Sequence, residues 1–342
     1  MTGKKKYYMA ILLLLVLVSA VVLYRIVFGL NVRSSVYRAS IYIPEGASYS
    51  QVIDSLRKHV EIRNMRLFDW IAREKGYPGS IKSGRYVVDR PMSYNELINT
   101  LKSGRQTPVK VTFSNIRTPG ELAGMLAHQI EPDSTEIMNF LSDASKYSKD
   151  GFNRETIISV FIPDTYELYW NTGPSGLYSR MLQEYRKFWN SSRLEKSREI
   201  GLTPTEVSTL ASIIDFEAMK SEEKPRIAGV YLNRLRRGIP LQADPTIKFA
   251  LNDFALNRIL YEYLKVDSPY NTYKYKGLPP GPIGCATVKS IDAVLNAEKN
   301  DYLYFAARAD FSGYHNFSKT LAEHNRNAAQ YQRELNRRKI FR

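Results

Sequence analysis

The sequence predicts an α+β protein: an N-terminal transmembrane helix, then a small α+β module, then a larger C-terminal α+β domain. Three observations predict it. An uncharged apolar run extends from Tyr7 to Tyr24, a strand followed by a capped helix occurs twice before residue 105, and capped helices alternate with Gly/Pro-rich loops after it. The 342 residues exceed what one core usually organises. The expected divisions are a cytoplasmic tail at 1–6, a membrane span at 7–30, the module at 39–105 and the C-terminal domain at 106–342. Hydrophobic content of 44% and charged content of 24% are ordinary for a globular chain, so no metal or disulfide staple is needed.

The span comes first. Lys4, Lys5 and Lys6 precede the apolar run, Arg25 interrupts it near the far end, and apolar character resumes to Leu30. About 20 apolar residues cross the hydrocarbon, and Arg25 can snorkel to the headgroups. The lysines favour a cytoplasmic N-terminus, which puts everything after about residue 30 outside the cytoplasmic membrane. A cleaved signal peptide with Ser19 and Ala20 at the processing site is the alternative. It is disfavoured because the apolar run continues past Ala20. The single cysteine, Cys285, forms no intrachain disulfide and reads as a small buried residue. The net charge of +15 is spread along the chain, so an anionic membrane surface or wall polymer is the expected partner, and not nucleic acid.

In the module, Ala39–Ile43 alternates like a strand and Pro44-Glu45-Gly46 ends it. Ser48 and Gln51 then stand in capping-box spacing ahead of Val52, Ile53 and Leu56. The same register recurs at Ser93–Leu101 after a strand at Arg85–Val88. A weaker copy follows at Thr118–Leu126, with Pro119 at the first helical position, Glu121 as the box partner and a strand at Val109–Phe113 before it. Such units suit either a carbohydrate-binding appendage or a spacer. Gln129–Arg154 reads as mostly helical. The aromatic patch at Val160–Trp170, with Tyr166, Tyr169 and Trp170, suits either a core or the apolar faces of sugars.

Thr203-Pro204-Thr205-Glu206 starts a helix expected to run to about Lys220, with Val207, Leu210, Ile213 and Ile214 on one inward stripe. Glu217 continues that stripe with a carboxyl group. A carboxyl on a desolvated face is driven toward its neutral, proton-donating form, which a general acid requires. Asp215 lies about 200° around the helix from Glu217, so the two cannot form a close dyad. It falls beside Ser208, Ala211 and Ser212, where a solvated or locally hydrogen-bonded role is expected. Spacing alone leaves a structural pairing of Glu217 with Arg226 or Arg234 equally open.

Resemblance decides between these. The segments Leu210-Ala-Ser-Ile-Ile-Asp-Phe-Glu217, Val230-Tyr-Leu-Asn-Arg-Leu235, Leu241-Gln-Ala-Asp-Pro-Thr246, Tyr270-Asn-Thr-Tyr273, Gly277-Leu-Pro-Pro-Gly-Pro282 and Tyr302-Leu-Tyr-Phe-Ala306, with His315-Asn-Phe317 and His324-Asn325, resemble the YceG-like family of endolytic murein transglycosylases. The series covers most of residues 155–342, and Phe161-Ile-Pro-Asp-Thr-Tyr166 matches a further element. The resemblance implies a LysM-like module at 39–105 and Glu217 as the catalytic residue. It implies cleavage of the bond between N-acetylmuramic acid and N-acetylglucosamine to leave 1,6-anhydro ends, and a link to wall synthases in ending nascent strands. The family usually has glutamate at both acidic positions of this helix, whereas here the first is Asp215.

Substrate contacts are expected from Gln242, Asp244, Thr246, Asn271, Thr272 and Tyr273, either directly or as supports, with the Gly277–Pro282 loop as a groove wall. Asp244 could instead cap a helix beginning at Pro245. His59, His128, His315 and His324 lack metal-ligand spacing and there is no phosphate-binding loop, so no metal or cofactor is expected, and His315 and His324 read as structural. A wall-binding scaffold without catalysis is the competing function.

Overall fold

The computed structural model describes residues 3–34, 38–256 and 258–338. The first two residues of the expected tail, the Lys4 side chain, residues 35–37 of the polar stretch after the span, and the last four residues of the expected C-terminal domain lie outside the described residues. The chain divides into two units. The first comprises Met1–Val111, Gln129–Pro132 and Glu167–Gly173, and the second Thr112–His128, Asp133–Tyr166 and Pro174–Arg342.

The first unit opens with helix α1 (Gly3–Phe28). At 1.5 Å per residue it is about 39 Å long, more than the roughly 30 Å of a hydrocarbon core. Among the described residues it is the one helix long and apolar enough to cross a membrane. Asn31 closes its C-terminal end, donating Nδ2–H to the Ile26 carbonyl at 2.8 Å and the Gly29 carbonyl at 3.0 Å. Strand β1 (Val32–Ser34) then pairs antiparallel with β3 (Val60–Ile62), and β2 (Ala39–Ile43) with β4 (Gly84–Val88), Ala39 opposite Val88. Helices α2 (Tyr49–His59) and α3 (Met65–Glu74) lie between β2 and β4 in the chain, and α4 (Tyr94–Ser103) follows β4.

The sequence repeat is a structural repeat. Ser48 and Gln51 form the reciprocal box, Ser93 accepts from the Glu96 N–H at 3.1 Å, and α2 buries Val52, Ile53 and Leu56 where α4 buries Leu97, Ile98 and Leu101. These side chains join Ile41, Ile43, Tyr86 and Val88 of the strands in one core. Trp170 sits edge-on to Tyr42 at 5.1 Å in the same unit, while Tyr169 is exposed.

Strand β5 (Val109–Thr112) pairs with β6 (Thr165–Leu168), and the unit boundary falls within both. The second unit holds α5 (Pro119–Ala127), α6 (Ser134–Ser142), α7 (Pro174–Phe188), α8 (Ser191–Glu199), α9 (Pro204–Glu217), α10 (Lys224–Arg236), α11 (Asp244–Leu251) and α12 (Val288–Leu295). A hairpin of β7 (Tyr304–Ala307) and β8 (His315–Ser318) and helix α13 (Leu321–Arg337) complete it. Thr118 caps α5 as expected, but the Glu121 carboxylate accepts from the Arg117 N–H at 2.8 Å, one residue earlier than a standard box.

Gln129–Arg154 is less helical than expected. It contains α6 and two single 3₁₀ turns, the first of them started by Asp143, whose carboxylate accepts the Ser145 N–H and diverts the chain from the helix. Tyr166 is core, stacked on Phe113 at 5.6 Å, and Cys285 is buried.

Helix α9 is the centre of this unit, packed by α8, α10, α11 and α12. The expected single inward stripe is wrong: all eight residues from Val207 to Ile214 are buried. Burial of the polar side becomes tolerable because Ser208, Thr209 and Ser212 donate back to the carbonyls of Pro204, Thr205 and Thr209 at 2.7–3.0 Å. The helix also stops at Glu217, short of Lys220, as Ala218 turns extended at φ −95°, ψ 112°.

Candidate active site

Glu217 is the last residue of α9, three residues beyond its buried stretch, and it keeps part of its side chain open to solvent. Among the described residues it makes no ion pair within 4.0 Å. Both bases that could have paired with it are committed elsewhere. Arg226 bonds Glu298 at 2.9–3.0 Å. Buried Arg234 donates to the carbonyls of Leu303 (2.6 Å), Pro240 (3.1 Å) and Leu241 (2.8 Å) and to Gln242 Oε1 (3.2 Å).

Burial pushes the Glu217 carboxyl up to about 8; the negative charge of Asp244 adds to this and the Lys248 ammonium opposes it. The group is therefore protonated at neutral pH and can donate.

Asp244 faces it from the first turn of α11. The Tyr273 hydroxyl donates to its Oδ1, and the helix N-terminus favours the negative charge. Asp244 is not an N-cap: the helix begins at Asp244 itself, so the methyl-bearing Ala243 holds the cap position and the Asp244 carboxyl is turned to Tyr273. Tyr231 of α10 completes the cluster, its buried hydroxyl held well above the usual phenol range by desolvation and by the Glu217 charge. Tyr273 is likewise raised, first by burial and then by Asp244.

The other expected contacts divide. Thr246, Asn271 and Thr272 are buried and internally satisfied. Thr272 Oγ1 accepts the Ala243 N–H at 3.0 Å and lies 2.8 Å from Thr246 Oγ1, while Thr272 O takes the Gln242 N–H at 3.0 Å. Asn271 donates to the carbonyls of Leu264 and Val266 and accepts from the Tyr273 and Lys274 N–H groups. This network fastens residues 242–246 to 271–273 and so aims Asp244 and Tyr273. Gln242 is exposed with φ +52°, its side chain held by Arg234. The Gly277–Pro282 loop helps line a separate hollow of about 490 Å³ with Asp267, Ser268, Pro269 and Tyr275, none of which belongs to the Glu217 cluster.

Asp215 is neither solvated nor locally bonded. Its carboxylate accepts from Lys224 Nζ (2.7 Å), Thr287 N (2.7 Å), Thr287 Oγ1 (2.8 Å) and Ser290 Oγ (2.5 Å), joining α9 to the start of α10 and to α12. Three donors on Oδ1, one on Oδ2 and a side chain only 10% exposed hold it in place as a structural tie.

His315 is structural, with Nδ1 2.9 Å from Glu223 Oε2, and His324 stacks on Tyr304 at 5.3 Å. The described residues contain no group of three His, Cys, Asp or Glu side chains placed to hold a metal. Sequence reasoning missed Tyr231 and Lys248. Lys248 stands four residues after Asp244 on a helix, a spacing that could have flagged it.

Residues 41–330 match the YceG-like family. A Bacillus subtilis (strain 168) protein described as an endolytic murein transglycosylase is 29% identical over 315 residues, covering 87% of this chain and 86% of that one. A Streptococcus pneumoniae protein (strain D39) with the same description is 29% identical over 322 residues, covering 85% of this chain but 58% of its longer relative. The crystal structure of a yceG-like protein from Listeria monocytogenes superposes with a TM-score of 0.55 at 26% identity, covering 84% of this chain and 98% of that one.

Proposed function

The chain belongs to the YceG-like family, and on that premise we propose that it is a lytic transglycosylase that cuts within peptidoglycan strands, with Glu217 as its catalytic acid and base. One observation carries the assignment of Glu217: a half-buried carboxyl with no ion-pair partner among the described residues, held protonated at neutral pH at the mouth of the cluster.

The neutral carboxyl donates its proton to the glycosidic oxygen between N-acetylmuramic acid and N-acetylglucosamine as that bond breaks. The resulting carboxylate, attracted by Lys248, then takes the proton of the muramic acid 6-hydroxyl as that oxygen closes on C1, leaving a 1,6-anhydro end. Because the nucleophile belongs to the substrate, the two-carboxylate spacing of hydrolases is not required. Asp244, held by Tyr273, adds to the burial that keeps Glu217 protonated in the ground state and offers a negative charge toward the positive charge developing at C1. Gln242, Asp244 and Tyr273 contact the sugar, whereas Thr246, Asn271 and Thr272 hold them in place.

Helix α1 anchors the chain in the cytoplasmic membrane with its N-terminus inside, a reading supported by Lys5 and Lys6 at its start. The antiparallel β2 and β4 with α2 and α3 between them support a LysM-like module. An anchored cutting site places the chain beside membrane-bound wall synthases and suits it to ending nascent strands. The test is digestion of purified wall by the detergent-solubilised chain, with mass spectrometry of the fragments. Anhydromuramic ends are expected; reducing ends would make it a hydrolase, and no new ends would make it a scaffold.

A further inference from the structure

A cavity of about 50 Å³ in the second unit is lined by Arg117, Phe216, Pro245, Lys248, Phe254 and Ile283. Phe216 adjoins Glu217 and Pro245 adjoins Asp244 in the chain, and the charge of the lining residue Lys248 acts on the Glu217 carboxyl, which brings the cavity near that group. The Arg117 guanidinium carbon lies 4.8 Å from the Phe216 ring centre and 4.9 Å from that of Phe254, and Nη1 reaches the Phe254 carbonyl at 3.5 Å.

Two aromatic faces fix the orientation of this cation without neutralising it. Among the described residues neither Arg117 nor Lys248 has a carboxylate within 4.0 Å, unlike Arg193, Lys224 and Arg226 nearby in the same unit. Asp244 does not serve Lys248, although it stands one turn before it, since its carboxyl is turned to Tyr273.

The wall of the cavity is closely built. A Cβ on Gly284 would come within 2.5 Å of the Ile116 carbonyl and 2.9 Å of the Phe216 ring, so only glycine lets that ring take its position. A single water needs about 10–15 Å³ of such space, so the cavity has room for a carboxylate group. A guanidinium matches the two oxygens of a carboxylate, and the phenyl walls limit competition from water.

We propose that the Arg117–Lys248 cavity is a carboxylate subsite that seats the lactyl arm of the muramic acid residue and so sets which glycosidic bond meets Glu217. The carboxylate is the lactyl group's own on peptide-free strands or one on the attached stem peptide. This rests on the glycan-cleaving reading above.

The test measures anhydro-end formation by the full chain in detergent on three substrates: peptide-bearing strands, strands stripped of peptide by an amidase, and peptide-bearing strands whose carboxylates have been converted to amides with carbodiimide and ammonia. Arg117→Gln is expected to raise KM about tenfold with little change in kcat, the pattern of lost uniform binding, whereas Lys248→Gln should raise KM likewise and also lower kcat, because Lys248 acts on the Glu217 carboxylate as well. Arg117→Lys should recover part of the loss. On the amidated strands wild type should show the same raised KM and the variants should add nothing. Whichever of the two carboxylate-bearing substrates suffers the larger loss identifies the source of the carboxylate.

The subsite is overturned if wild type is indifferent to amidation and Arg117→Gln also loses nothing on the stripped strands, or if the variants lose as much on amidated strands, which marks a structural role. Absence of anhydro ends with wild type overturns the glycan-cleaving reading itself, a separate result.

Discussion

Replacing Lys224 by Met tests whether Asp215 is part of the framework or part of the chemistry. The two side chains meet at 2.7 Å and each is only 10% exposed, so the substitution strands a carboxylate in the interior. Removing one partner of a buried pair costs about 3 to 5 kcal/mol. The three remaining donors, Thr287 N, Thr287 Oγ1 and Ser290 Oγ, favour the lower end. In a unit of this size that corresponds to a fall in Tm of about 6 to 20 °C. Thermal unfolding followed by circular dichroism in detergent reads it directly. Asp215→Asn in the Lys224→Met background should restore part of the loss, because no charge is then left unpaired. At temperatures where Lys224→Met remains folded, kcat should stay within a few-fold of wild type. A Tm unchanged within 1 °C, or abolished turnover in a folded variant, would refute the structural assignment of Asp215.

Three further outcomes follow from the same contacts. Glu217 has a folded-state value raised to about 8 from an ordinary carboxyl value of 4.5, so its protonated form stabilises the fold below about pH 4.5 and that contribution is lost as pH rises through about 8. The Tm advantage of Glu217→Gln over wild type should therefore grow across that window, and a constant difference would contradict the shift. Tyr273→Phe removes the hydroxyl donated to Asp244 and should lower kcat about tenfold with Tm changed by only a few degrees, read by anhydro-end formation beside thermal melts. Thr272→Val strips the acceptor from the Ala243 N–H and the partner from Thr246 Oγ1, costing about 1 to 3 kcal/mol by urea denaturation and slowing turnover by displacing Asp244.

Local signals were legible wherever a short stretch of chain determines its own structure. The caps at Ser48, Ser93, Thr118 and Thr203 each open a helix at the residue their spacing indicates. The apolar period placed the buried positions of α2 and α4, and Glu217 stood out as a carboxyl continuing an apolar stripe.

What escaped was long-range. Nothing near Asp215 announces Thr287 and Ser290, more than 70 residues away, as its donors, so its own helix face indicates only a local environment. The end of α9 at Ala218 carries no Gly or Pro signal; the chain turns there toward the Pro225-led start of α10. Likewise the inward placement of Thr246 and Thr272 depends on two segments bonding each other across 26 to 29 residues, a pairing that spacing does not encode. The resemblance brought the right segments together, but only the contacts separate Asp244 and Tyr273, which face Glu217, from the threonines beneath them.

The most direct measurement is the rate of anhydro-end formation on purified wall by Glu217→Gln, set beside its thermal melt. Gln keeps the shape and removes the transferable proton, so anhydro ends should fall at least about 100-fold, the lower contribution of a positioned acid or base, while Tm stays level or rises. Undiminished anhydro ends from a folded Glu217→Gln protein would contradict the assignment of Glu217 as the acid.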